Sequence, residues 1–82
     1  MSADNRIGDF VFLGQRYYVE VYPAAMTATQ LVITDAIGEI QSVCYVNQDD
    51  IVFWKFNPPA TDVRMLLELE ILKIVKKWRD AK

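Results

Sequence analysis

Residues 62–80 read DVRMLLELEILKIVKKWRD, and this stretch decides the fold. Leu67, Ile71, Ile74 and Trp78 fall at i, i+4, i+7 and i+11, flanked by Val63 and Val75. That is the spacing of a helix that buries one face. Asn57-Pro58-Pro59 stops the preceding segment, and Thr61 or Asp62 is placed to cap the first turn. The spacing predicts a helix over 62–80, ~28 Å long at the standard rise.

The same stretch carries a second apolar stripe. Met65, Leu69 and Leu72 follow i, i+4, i+7 on roughly the opposite side, with Leu66 at its edge. Glu70, Lys73 and Lys77 separate the stripes on one flank, and Arg64, Glu68 and Arg79 on the other. One sheet face covers both stripes only if it curls strongly around the helix. Three large apolar side chains left in water would forgo roughly 1.5–3 kcal/mol each. Either the sheet engulfs the helix or another molecule shelters the remainder. The second outcome makes Met65, Leu66, Leu69 and Leu72 an expected oligomer interface or a surface for a different protein.

Upstream, the chain alternates as strands do. Segments 9–13, 16–22, 29–34, 39–46 and 51–56 are rich in aromatic and β-branched residues. Gly14-Gln15 is a plausible two-residue hairpin loop, Pro23 is expected to end the second strand, and 23–28 to form a longer connection. Asp35–Gly38 and Asn47–Asp50 read as turns. Short connections between consecutive strands favour an antiparallel meander, because parallel pairs need long crossovers. The expected fold is α+β: a four- to five-stranded antiparallel β-meander followed by one C-terminal amphipathic helix packed on one sheet face. It is read as one domain over 1–82, with a flexible lead at 1–6. The order of strands then helix is similar to that of dimeric single-stranded-DNA-binding coactivator domains in topology alone, with no motif shared.

Alternation also assigns faces. Tyr17, Val19, Val21, Leu31, Ile33, Ile40, Cys44, Val46, Val52, Trp54 and Phe56 are expected inward. The outward face then carries Arg16, Tyr18, Tyr22, Tyr45, Phe53 and Lys55, a candidate partner-binding face of aromatic side chains with polar handles. Such a face can instead only pair its own aromatics across strands, or stack unpaired bases.

Composition narrows the functions. The 82 residues include no histidine and one cysteine, so an internal disulfide, a His-based metal site and a Cys-cluster zinc site are all excluded. Cys44 sits mid-strand in an apolar segment and reads as a small core residue. Gly8, Gly14 and Gly38 are too far apart for a phosphate-binding loop, and Asp49-Asp50 reads as a solvated turn. No cofactor is expected, and no enzyme. No apolar run is long enough to span a membrane, and the polar N-terminus lacks a signal core, so a cytoplasmic location is expected.

The net charge is −2, but it is unevenly spread. Residues 1–62 carry eight acidic and three basic side chains, and residues 63–82 carry six basic and three acidic. The basic excess at Lys73, Lys76, Lys77 and Arg79 complements the negative end of the helix dipole, and is also a candidate contact for an anionic partner. The leading expectation is a small non-catalytic protein-interaction module (an adaptor, inhibitor or accessory subunit) acting as a homodimer. A single-stranded nucleic-acid binder is the alternative, disfavoured by the acidic balance of the sheet.

Overall fold

The computed structural model describes residues 5–25 and 28–81, with backbone alone for 23–25. Five strands, β1 (Arg6–Phe12), β2 (Gln15–Ala25), β3 (Ala28–Thr34), β4 (Ile40–Asn47) and β5 (Val52–Phe56), precede one helix, α1 (Thr61–Asp80). The sheet order is β1-β2-β3-β4-β5 with every neighbour antiparallel. The protein is therefore an α+β meander with its helix packed on one sheet face.

The core forms where the inward stripe of α1 meets the sheet. Val19, Leu31, Cys44, Val46, Ile71 and Val75 have no exposed surface. Phe10 and Ile33 join them, with Tyr17, Val21, Val52, Trp54, Leu67 and Ile74 packed around the rim. The sheet curls until both edges touch the helix. On β1, a Cβ built on Gly8 would sit 2.7 Å from Ile74 Cγ2, so only glycine admits the helix this closely. On β5, Trp54 Nε1 donates to Glu68 Oε2 at 2.8 Å.

Local chemistry explains where the chain departs from the expected boundaries. β1 begins at Arg6 rather than Asp9, and the rest of the expected lead, 1–4, lies outside the described residues. The first turn is Leu13-Gly14, not Gly14-Gln15: Phe12 pairs with Gln15, and both turn residues have positive φ, +52° and +80°, as a type I′ hairpin requires. Pro23 does not end β2. It pairs with Thr29 just before a register irregularity, the kind of position where a missing ladder donor is tolerated. The expected long connection shrinks to residues 26–27, outside the described set.

Two side chains organise the remaining turns. Asp35 Oδ1 accepts from the backbone N–H of Ile37 (3.0 Å) and Glu39 (2.9 Å), and its Oδ2 from Gln41 Nε2 (3.0 Å). Asn47 Oδ1 accepts from the N–H of Asp49 (2.9 Å) and Ile51 (3.0 Å). These are the local bonds that make Asp and Asn turn formers.

The helix cap also differs. Thr61 is already helical, Ala60 holds the N-cap position, and no side chain caps the helix. Arg64 takes over part of the tethering, donating to the Pro59 carbonyl through Nε (3.2 Å) and Nη2 (2.9 Å).

Candidate interaction surfaces

The outer face of α1 is the first surface. Met65 is 72% exposed, Leu66 56% and Leu69 51%. These side chains lie within one turn of one another in the N-terminal half of the helix, so they form one patch. Leu72, expected with them, is half-buried and packs against the core. The curl of the sheet draws in that edge of the stripe and leaves the rest outside.

The C-terminal half of the helix is basic on the outside. Lys73, Lys76 and Lys77 are exposed. Lys73 lies 3.5 Å from Glu70 and Lys76 lies 3.8 Å from Asp50. Arg79 is not part of that outer surface. It folds back onto the β4–β5 turn, donating to Asp50 Oδ1 at 2.7 Å and to the Asn47 carbonyl at 3.3 Å. Asp50, read from sequence as a solvated turn residue, thus ties the end of the helix to the sheet. Nothing in the local sequence announces a contact across so long a separation.

The open face of the sheet is the second surface. It presents Tyr18, Tyr22, Tyr45, Phe53, Arg16 and Lys55 as alternation predicts. It also gains Ile40 and Phe56, both expected inward. Ile33 pairs with Ser42 but Thr34 with Ile40, and Cys44 pairs with Trp54 but Val43 with Phe56. One extra residue at each step, Gln41 and Lys55, is a β-bulge that turns what lies beyond it to the other face. Ile40 ends 55% exposed and Phe56 54%.

Most of the open-face side chains are already engaged. The Arg6 guanidinium carbon lies 3.9 Å from the Tyr18 ring centroid. Lys55 Nζ donates to the Tyr45 hydroxyl at 3.1 Å, and Arg16 pairs with Asp9 at 2.7 Å. Phe53 is 52% exposed. The lysines of α1 and these tyrosines lie on opposite layers of the molecule.

One feature of this face leaves no trace in the alternation of the strands. Glu20, Val32 and Thr34 are buried there although no described element covers them. The Tyr22 O–H donates to Glu20 Oε1 at 2.8 Å, and that carboxylate raises the Tyr22 pKa above its usual value.

Two further sites bear on chemistry. A cavity of about 280 Å³ opens between the sheet and the start of α1, lined chiefly by Phe10, Phe12, Tyr17, Trp54, Pro59 and Leu67. Cys44 is fully buried, and burial, with a smaller push from the Glu68 charge, raises its thiol pKa to about 12. A thiol so protected is a poor nucleophile. Among the described residues, no three His, Cys, Asp or Glu side chains are arranged to hold a metal ion, and no helix is long and apolar enough to cross a membrane.

Comparison of the chain with protein-family models, with curated proteins and with solved structures gives no match.

Proposed function

We propose that this chain is a small, non-catalytic protein-interaction module that works in the cytoplasm as a homodimer, with the outer face of α1 as its self-association surface. The observation that carries the reading is the patch of Met65, Leu66 and Leu69, three large apolar side chains more than half exposed on one face of one helix. A contiguous apolar patch marks an interaction site more often than scattered exposed residues do. A single small core leaves little stability in reserve, which favours covering the patch. Lys73 and Glu70, beside it, offer complementary charges to a second helix crossing in the opposite sense. The open sheet face is then left to a different protein, the partner for which the module acts as adaptor, inhibitor or accessory subunit.

The test is native mass. Sedimentation equilibrium is expected to give twice the 9.5 kDa chain mass. Leu69→Glu, which puts a charge in the middle of the patch, is expected to give monomer with unchanged circular dichroism. A wild-type chain that stays monomeric at high micromolar concentration removes the proposal.

A further inference from the structure

Glu20 lies directly opposite Arg6 in the β1–β2 ladder, an arrangement in which opposite charges ordinarily pair. Here they do not. The Arg6 guanidinium lies over the Tyr18 ring instead. Among the described residues, the one hydrogen-bond partner of Glu20 is the Tyr22 hydroxyl. Glu20 is only 6% exposed. A buried carboxylate held by a neutral phenol, with no ion pair to any described cation, is a costly arrangement.

A second orphan lies beside it. Thr34 is 3% exposed, and its Oγ1 is buried without a hydrogen-bond partner. Both residues line a groove of about 450 Å³ on the open face, closed by Tyr22, Gln30, Val32 and Ile40, with Arg6 at the rim. We propose that this groove is a binding site for an alkyl cation, a primary ammonium or guanidinium on an aliphatic stem, with Glu20 as its counter-ion.

The lining matches that ligand. The Glu20 carboxylate and the Gln30 amide oxygen supply acceptors from two adjacent strands, and ammonium and guanidinium groups are pure donors. Val32 and Ile40 supply apolar wall for a methylene stem, the part of lysine or arginine that packs on apolar surface. Among the described residues, the charged groups that face the groove are Glu20 and Arg6. Arg6 lines the groove at its rim, with its guanidinium turned onto the Tyr18 ring by the attraction of a cation for an aromatic face. The proposal rests on the open face being a partner surface and is independent of dimerisation through α1.

The experiment is a titration of the isotope-labelled full chain, followed by NMR. The probes are n-butylammonium, acetyl-Gly-Lys-Gly-amide, its arginine counterpart, and the neutral norleucine peptide. Saturable shifts at the amides of Gln30, Val32 and Thr34 are expected with the cations and not with norleucine. Tighter binding of the basic peptides than of the free amine assigns the cation to a partner protein, and equal binding assigns it to small amines. Glu20→Gln is expected to weaken binding about tenfold, the effect of losing one charge-assisted hydrogen bond. The same variant should keep or raise the melting temperature, which separates lost binding from lost folding. Leu69→Glu should bind as wild type does, so the outcome is distinct from that of the dimer test. Absence of saturable shifts with every cation overturns the proposal. So does equal binding of norleucine, or wild-type affinity in Glu20→Gln.

Discussion

At Cys44 the environment of one side chain has a consequence for the whole stability curve. It stands between Leu31 and Trp54 in the ladder, fully buried, and its thiol pKa rises from the ordinary 9.0 to about 12. The folded state holds the proton more tightly than the unfolded chain does. Stability linked to this group is therefore complete below pH 9, and it is lost as pH rises from there towards 12. At pH 10.5 the loss is about 2 kcal/mol. Tyr22, whose hydroxyl donates to the Glu20 carboxylate and also has a raised pKa, adds a loss in the same alkaline range. The comparison must therefore be with Cys44→Val, which retains Tyr22. Urea midpoints at pH 8 and pH 10.5 are expected to fall further in wild type than in the variant. Equal falls would show that Cys44 ionises no differently when folded.

A different kind of strain sits at Leu13, 82% exposed and at φ +52°. Left-handed backbone is costly for a leucine and much less so for asparagine. Leu13→Asn creates the Asn-Gly pair favoured in this hairpin and is expected to stabilise the fold by about 0.5–1 kcal/mol. An unchanged or lowered urea midpoint would show that no strain is stored there. Leucine carries no turn signal, which is why the loop is legible in sequence only to within one residue, through Gly14.

Elements are placed by a few close approaches, and Gly8 is the tightest. Its missing Cβ lets Ile74 pack against β1, so Gly8→Ala forces the helix outward or twists a side chain that has little χ1 freedom. The expected cost is about 1–3 kcal/mol. Removing the two Cγ carbons that the added Cβ would meet, with Ile74→Ala, should cost less in the Gly8→Ala background than in wild type. A double-mutant cycle that shows simple additivity would mean the two residues are not in contact. The sheet itself was largely readable. Strict alternation places Val19, Leu31, Cys44, Val46 and Trp54 on the helix side, as found. It fails at Ile40 and Phe56 because Gln41 and Lys55 form bulges, and an extra residue in one strand is invisible until the partner strand is in view. The helix was readable from its period, but its start was not. The expected caps, Thr61 and Asp62, sit inside the first turn because the N-cap position falls on Ala60, which offers no side-chain acceptor.

For the molecule as a whole, two apolar stripes on one helix and a single sheet are visible in the sequence. How the second stripe divides is not. The curl that brings both β1 and β5 to the helix half-buries Leu72 and leaves Met65, Leu66 and Leu69 outside. That division depends on long-range contacts such as Trp54 to Glu68 and Arg79 to Asp50. If two such patches cover one another, folding and association are one equilibrium, and stability must depend on protein concentration. A hundredfold increase in concentration contributes about 2.7 kcal/mol per dimer, shared between two chains. For domains of this size that corresponds to a rise in Tm of roughly 5–10 °C. Scans at 2 and 200 μM (about the range accessible to circular dichroism) are expected to show this rise in wild type. Leu69→Glu should melt at one temperature across the same range, because a monomer has no association step to shift. A wild-type Tm that ignores concentration would mean that the helix patch faces water in the folded state, and that its exposed side chains are held for a foreign partner rather than a second copy.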